Sequence, residues 1–294
     1  MNSTTKGIIY LILSAFFFAL MAAFARLAGD IFFMQKAFFR NFVALIIAIV
    51  MLARDVKQNG RESLFIPKGA LLFLFMRSIA GSIGVVGNFY AIDRLVLSDA
   101  SILNKMSPFF SIVFSLLLLK EKIKLVPLLA IIGAFLGSML IVKPVFDFAK
   151  MAPTLAGFLG GVGAGFAYAC VRKLGNMKCN GKIIVLFFSA FSTLLILPFM
   201  ITNYNPMTMK QFLLLCSTGV CAACGQFTIT AAYYHAPARE ISIYDYTQII
   251  FSTTLGFVFF GMIPDMLSIT GYTVIVSMAI LNYVYNLKKA KTEN

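Results

Sequence analysis

The sequence is short of charge for its length. Only 12% of its 294 residues are Asp, Glu, Lys or Arg, whereas 60% are hydrophobic and the mean hydropathy is +0.90. A soluble domain cannot keep so apolar a surface dissolved. The composition therefore excludes an ordinary soluble protein and indicates one whose solvent is lipid.

Groups that carry acid–base or metal chemistry are also scarce. The chain has a single histidine, His235, and only 11 acidic residues. An intramembrane hydrolase or transferase needs a nucleophile with a base, or a set of metal ligands, within hydrogen-bond reach. No spacing in the sequence supplies one, and Cys221 and Cys224, without a histidine or acid beside them, are typical of packed thiols. We therefore expect no enzyme activity, no metal and no cofactor.

Long apolar runs are what the sequence has in abundance. A segment that spans the hydrocarbon layer needs roughly 20 mostly apolar residues. The connections between such runs are short and leave no room for a soluble domain. We predict ten transmembrane helices, at residues 7–27, 34–53, 68–91, 97–119, 125–142, 154–174, 182–201, 210–234, 241–260 and 267–286.

Basic residues are distributed unevenly between the two sides of these spans. The net charge is +14, with 25 Lys and Arg against 11 Asp and Glu. If the N-terminus is cytoplasmic, most of the basic residues fall in cytoplasmic loops, as the positive-inside rule requires. Topology then explains the charge, and no nucleic-acid partner is expected. We predict a prokaryotic inner-membrane protein with both termini in the cytoplasm.

The chain also contains an internal repeat. A shift of 141 positions, without a gap, pairs like residues of the two halves: Gly84 with Gly225, Ser101 with Ser242, Asn104 with Asp245, and Ser111 with Ser252. Five helices per unit is an odd number, so the second unit enters the membrane upside down relative to the first. We predict an all-α membrane protein made of two inverted five-helix repeats, residues 1–147 and 148–294.

Several short motifs resemble those of a known family. In the first half they are Phe89-Tyr90-Ala91, Asp99-Ala100-Ser101, Pro108, the stretch from Leu116 to Lys122, and Gly137. In the second half they are Ala231-Ala232-Tyr233, Pro237-Ala238, Ser242, Phe260-Gly261 and Gly271. With its ten spans and tandem repeat, the chain resembles the EamA-domain type of the drug/metabolite transporter superfamily.

This resemblance implies a secondary transporter that works by alternating access around a central site. The cargo would be a small polar or amphipathic metabolite, for example one with a carboxylate, such as an amino acid, an amino-acid derivative or a vitamin. A passive facilitator and a drug or toxicant exporter of the same fold are the alternatives. The expected partners are the small-molecule substrate and membrane lipid, with the chain a monomer or a homodimer.

Ionisable side chains inside the spans are few. A charged group in hydrocarbon is costly unless it is paired or wetted, so each one is a functional candidate. The four are Arg40, Arg77, Lys105 and Asp245. Three cations against one anion predict a positive cavity that favours a substrate with a carboxylate, a phosphate or another electron-rich group. Arg40 lies close enough to the outer interface for its head to snorkel there as a structural anchor.

Polar and small residues recur at helical spacing in three spans. In the third span they are Arg77, Gly81, Gly84 and Asn88. The fourth and ninth spans carry matching stripes: Ser101, Asn104, Pro108, Ser111 and Ser115, and Ser242, Asp245, Ile249, Ser252 and Gly256. We expect the matching stripes to line a central cavity, with Pro108 interrupting the fourth helix. Simple packing of the helices is the alternative.

Asp245 has two interpretations. A carboxylate in a low-dielectric site can take up a proton near neutral pH, which makes Asp245 the candidate for proton coupling. Alternatively, a salt bridge with Lys105 or Arg77 neutralises both charges. The complete set of predicted substrate-binding residues is Arg77, Asn88, Ser101, Asn104, Lys105, Tyr168, Gln226, Thr230, Tyr244, Asp245 and Gln248.

Overall fold

The computed structural model describes residues 3–95, 102–120, 125–142, 151–261 and 263–292, which are helical with short connections and contain no strand. A 3-10 turn, Arg61–Leu64, follows the second helix. The ten main helices are α1 (Ser3–Leu27), α2 (Phe33–Asn59), α3 (Ala70–Arg94), α4 (Ser107–Leu119), α5 (Leu125–Val142), α6 (Met151–Asn176), α7 (Gly181–Thr202), α8 (Met209–His235), α9 (Thr247–Phe260) and α10 (Met266–Thr292).

The helices agree with the predicted spans. Within the described ranges, eight helical stretches are long and apolar enough to cross a membrane, by length and composition. The other two predicted spans fall on the shorter apolar helix α5 and on α9 with the helical turns before it. The prediction of an all-α membrane protein is confirmed.

Helices α4 and α9 are each the continuation of an interrupted helix. Residues 102–104 are helical, residues 105–106 form a turn, and α4 then begins with Pro108 in its first turn. Likewise, the turn Ala238–Ile241 and the 3-10 segment Ser242–Tyr246 precede α9. Proline donates no backbone hydrogen bond and is tolerated at such a start. Under the 141-residue shift the two interruptions coincide, as the repeat requires.

The strongest packing joins one half of the chain to the other. Helix α1 packs on α8, α3 on α6, α2 on α7, and α5 on α10. If the two halves are exchanged, α1 with α8 becomes α6 with α3, and the pairs α2 with α7 and α5 with α10 map onto themselves. A two-fold relation between two five-helix units produces this pattern. The boundaries 1–147 and 148–294 themselves stay a prediction.

Helix α6 packs through small residues on two of its faces. A Cβ placed on Gly163 would lie 2.7 Å from the carbonyl oxygen of Ala80 in α3. On another face, a Cβ on Gly165 would lie 2.6 Å from the Cβ of Phe110 in α4. Small residues let helix backbones approach in a membrane, where no hydrophobic force drives helices together. Helix α6 is thereby held between two helices of the first half.

Helix α2 is longer than its predicted span, which ended at residue 53. The apolar run stops there, but the helix continues to Asn59. Lys182 at the start of α7 lies 2.6 Å from Oδ1 of Asp55, and Asn180 Nδ2 donates to Asp55 Oδ2 at 2.8 Å. These partners from the other half satisfy the polar end of the helix, which hydropathy alone cannot show.

Replacing Gly163 with alanine should destabilise the fold. The added methyl group would overlap the Ala80 carbonyl, and overpacking of this kind costs about 1–3 kcal/mol. We expect a lower apparent Tm in detergent for Gly163→Ala. The matched control is Gly181→Ala, where a Cβ would meet nothing closer than Thr230 Cγ2 at 3.8 Å. Equal melting of the two variants would contradict close packing of α3 on α6.

Candidate functional site

A cavity lies between the two halves of the chain. It encloses about 700 Å³ including its open mouth. The first half contributes α1, α2, α3 and the helical turn before α4, and the second half contributes α6, α7, α8, α9 and the 3-10 segment before α9, while α5 and α10 stay outside. The lining residues are Phe18, Met21, Arg40, Arg77, Gly81, Gly84, Val85, Asn88, Phe89, Asn104, Ala164, Ala167, Tyr168, Phe188, Gln226, Asp245 and Gln248.

Arg77 is the most deeply buried charge of this lining, with 2% of its surface exposed. Its guanidinium carbon lies 3.7 Å from the ring centroid of Phe188, a cation–π contact across the two halves. Its Nε and Nη1 atoms have no hydrogen-bond partner. Burying such donors unpaired is unfavourable. The site therefore offers unused donors on a fixed positive charge.

Gly81 determines where this guanidinium lies. It is one helical turn after Arg77, and a Cβ on Gly81 would overlap Arg77 Nη1 and come within 2.8 Å of Phe188 Cε2. The guanidinium occupies the space that the missing side chain leaves. The stripe of Arg77, Gly81, Gly84 and Asn88 predicted from spacing lies on the cavity wall in full.

Arg40 contributes a second buried guanidinium, 8% exposed. Its Nη1 donates to Asn41 Oδ1 at 2.9 Å, and Asn41 Nδ2 donates to the Ala37 carbonyl oxygen at 2.9 Å. The expectation that Arg40 snorkels to the outer interface is wrong. Its helix turns it toward the cavity, where a protein-lined space hosts the charge, and depth along the sequence does not reveal that direction.

Lys105 and Asp245 form an ion pair beside the cavity, and each residue is 4% exposed. Lys105 Nζ lies 3.1 Å from Asp245 Oδ2, 3.1 Å from the Asp245 carbonyl oxygen and 2.7 Å from Gln248 Oε1. An ammonium has three protons, so these three acceptors satisfy it. This is the salt bridge that was one of the two interpretations of Asp245, and it links the two halves.

Further polar contacts surround the ion pair of Lys105 and Asp245, where the two helix interruptions meet. Tyr246 donates its hydroxyl to the Lys105 carbonyl oxygen at 3.1 Å. The hydroxyls of Ser111 and Ser242 are 2.8 Å apart, and the Tyr233 hydroxyl is 3.2 Å from Ser242 Oγ. Tyr168 stacks on Tyr233, with ring centroids 4.9 Å apart. The polar groups exposed by the two helix interruptions therefore find partners in each other.

The unpartnered buried atoms at the cavity are nitrogen donors. They are Arg77 Nε and Nη1, together with Nε2 of Gln226, which is 5% exposed. Among the residues that the structure describes, no group of three or more His, Cys, Asp or Glu side chains is arranged to hold a metal ion. The arrangement can bind a ligand that brings acceptor oxygens, and negative charge above all.

The structure brings most of the predicted residues together. Seven of them line the cavity: Arg77, Asn88, Asn104, Tyr168, Gln226, Asp245 and Gln248. Lys105 is hydrogen-bonded to two of these, Asp245 and Gln248. Thr230 is buried outside the lining, with its Cγ2 facing Gly181. Tyr244 points away and donates to the Ala279 carbonyl oxygen at 3.3 Å. Ser101 lies outside the described residues.

Sequence reasoning missed the aromatic part of the lining. Phe18, Phe89 and Phe188 all face the cavity. The chain contains 31 phenylalanines spread over its apolar spans, and their spacing does not distinguish these three. Phe188 differs from the other phenylalanines of the lining by its contact with the Arg77 guanidinium. The sequence does not reveal this contact, because Arg77 lies on α3 in the first half and Phe188 on α7 in the second.

Breaking the buried ion pair should destabilise the protein more than removing it. Lys105→Met or Asp245→Asn leaves one buried group unpaired, at about 3–5 kcal/mol, whereas the double variant leaves no charge behind. We expect both single variants to melt below the double variant in detergent. Lys182→Met is the control, because its lysine side chain is 31% exposed and the loss should be smaller. Additive losses in the double variant would show that the pair is not coupled.

Comparison with known proteins adds the family. The model of the EamA-like transporter family matches residues 5–143. The pseudopaline exporter CntI of Pseudomonas aeruginosa is 30% identical over 273 residues, 92% of this chain and 93% of the relative. Human solute carrier family 35 member G1 is 27% identical over 286 residues, 92% of this chain and 77% of the relative.

A solved crystal structure shares the fold of the whole chain. It has a TM-score of 0.79 at 15% identity and covers 96% of this chain and 97% of its own. The likeness at that identity concerns the fold alone. The bundle, the cavity between its halves and the relatives lead to one conclusion: this chain belongs to the EamA-like transporter family and is an integral membrane transporter.

Proposed function

We propose that the protein is a secondary transporter of a small anionic metabolite, which it moves by alternating access. The observation that carries the proposal is the guanidinium of Arg77, buried with unpartnered donors in a cavity that both halves line. A carboxylate on an amino acid, an amino-acid derivative or a vitamin has the acceptor oxygens that this group lacks.

The charges around the cavity support an anion rather than a cation. Arg40 and Arg77 face it, and Asp245 is the acidic member of its described lining. The carboxylate of Asp245 is already engaged by Lys105. A cationic substrate would meet two positive charges and a carboxylate that is in use.

The position of the cavity supports alternating access. Its walls belong to both halves, so a rocking motion of one half against the other changes which side of the membrane it faces. The contact between α3 and α6 is made by small residues, which have no bulky side chains to interlock and so are compatible with such a movement.

We also propose that Asp245 couples transport to protons. A proton on Asp245 would remove the negative charge that holds Lys105 Nζ at 3.1 Å and so weaken a link between the halves. Substrate movement and proton uptake would then depend on the same contact. Gln248 Oε1, 2.7 Å from Lys105 Nζ, would keep the ammonium hydrogen-bonded meanwhile.

The membrane and the direction of transport are part of the proposal. We place the chain in a prokaryotic inner membrane with both termini in the cytoplasm, as the distribution of its basic residues predicts. Export is the direction favoured by a relative of 30% identity that is named as an exporter.

Arg77→Gln should discriminate against anions. In a thermal-shift screen of amino acids, amino-acid derivatives, vitamins and toxicants, we expect the wild type to be stabilised by a carboxylate-bearing compound. The variant should bind that compound about tenfold or more weakly, because a charge-assisted hydrogen bond is lost, and bind its neutral amide with little change. Arg26→Gln is the matched control, an arginine 4.7 Å from the ring centroid of Phe260 outside the cavity. Equal loss for acid and amide would make Arg77 a structural residue.

Asp245→Asn should uncouple transport from the proton gradient. In proteoliposomes we expect the variant to lose accumulation driven by a pH gradient while it keeps part of its substrate exchange, because the amide cannot carry the proton. Glu62→Gln, at an exposed acidic residue outside the cavity, should behave as the wild type. Gradient-driven accumulation that survives in Asp245→Asn would remove this residue from coupling.

A further inference from the structure

Two buried guanidiniums face the same cavity. Arg40 comes from α2 and Arg77 from α3, and they are 8% and 2% exposed. Neither forms an ion pair with any residue that the structure describes. Asp245 also lines the cavity, but Lys105 neutralises it at 3.1 Å. The described lining therefore keeps two positive charges without protein counter-charge.

One negative charge on the substrate cannot compensate both. A monoanion seated on Arg77 would leave the buried guanidinium of Arg40 without a counter-charge, and a buried charge without one is unfavourable. A substrate with two negative charges would neutralise the lining. Building on the proposed function, we infer that the substrate is a dianion, with anionic oxygens engaged by Arg77 and by Arg40.

Both guanidiniums are held in place from one side. Arg77 rests on Phe188, in the space that Gly81 leaves. Arg40 is bonded to Asn41. Donors fixed in this way select the distance between the anionic groups of a ligand. The substrate class is therefore defined by two negative charges carried on oxygen atoms. A dicarboxylate that spans the two arginines meets this requirement, and so does a phosphate monoester whose oxygens bridge them.

The remaining wall is suited to what lies between or beside the charges. Val85 and Phe89 line the cavity on the same helix as Arg77 and offer apolar surface. Gln226 Nε2 adds a neutral donor without a partner. A short apolar spacer carrying an additional acceptor, such as an amide or hydroxyl oxygen, matches these groups.

The test compares dianions with matched monoanions on the purified full chain in nanodiscs. The probes are α,ω-dicarboxylates from malonate to suberate, their monomethyl esters, and the phosphate monoesters glycerol 3-phosphate and phenyl phosphate, at about pH 8, where phosphate is doubly charged. We expect at least one dicarboxylate to bind about tenfold or more tightly than its own monomethyl ester, or at least one phosphate monoester to bind about tenfold or more tightly than every monomethyl ester. The two arms identify which dianion the cavity takes.

Two variants assign the effect to the arginines. In Arg40→Gln the preference for the dianion over the monomethyl ester should fall to about onefold with monoester binding kept, and Arg40→Lys should restore part of it. This readout would not move if Arg40 were only a structural residue. The wild-type ratio needs no variant, so a variant that fails to fold does not end the test.

Three results would overturn the inference. Monomethyl esters that bind as tightly as the diacids and as tightly as both phosphate monoesters would leave an anion transporter without a dianion site. Unchanged dianion preference in Arg40→Gln would exclude Arg40 from recognition. Binding by none of the dicarboxylates and phosphate monoesters would also reject it, whereas the proposed function is judged separately by the acid and amide pair in Arg77→Gln.

Discussion

The buried ion pair between Lys105 and Asp245 connects the fold of this protein to its site. Each residue lies at the interruption of a helix, one in each half of the chain. A membrane tolerates neither an unpaired charge nor a free backbone carbonyl in hydrocarbon. Here the polar groups of each helix interruption are hydrogen-bonded by the other interruption. Lys105 donates to the Asp245 carbonyl and carboxylate, and Tyr246 donates to the Lys105 carbonyl. If this contact were lost, polar groups of both broken helices would be left unpaired inside the protein.

The packing of the helices around the ion pair of Lys105 and Asp245 follows from the need to surround these charges with protein. Helix α1 packs on α9 and on the 3-10 segment before it, and α6 packs on α4, while glycines at the α3–α6 contact let those two helices approach closely. Where the lining is not filled, the cavity remains, with its two guanidiniums shielded from hydrocarbon. Helices α5 and α10 pack on each other outside it and line no part of it.

The sequence predicts what is written locally in one helix, and fails where a partner lies far along the chain. Spans follow from apolar length, and the stripe beginning at Arg77 follows from helical spacing, because both are properties of a single helix. The end of α2 was placed too early because Asp55 is bonded by Asn180, 125 residues away. Arg40 was placed at the interface because depth does not give rotation about the helix axis. Tyr244 was grouped with Asp245 as a neighbour, yet in the 3-10 segment its side chain points toward α10.

The ion pair and the proposed proton coupling of Asp245 are compatible. The charges around the cavity determine whether substrate and proton favour or oppose each other's binding. With the cavity empty, a proton on Asp245 would leave Lys105 as a third uncompensated cation beside Arg40 and Arg77. An anionic substrate on the arginines would offset part of that positive charge, and in the proposed coupling the anion therefore favours the proton. Linkage is reciprocal, so the proton must favour the anion equally. The proposed coupling therefore has the anion and the proton favour each other's binding, whereas a cationic substrate and the proton would compete.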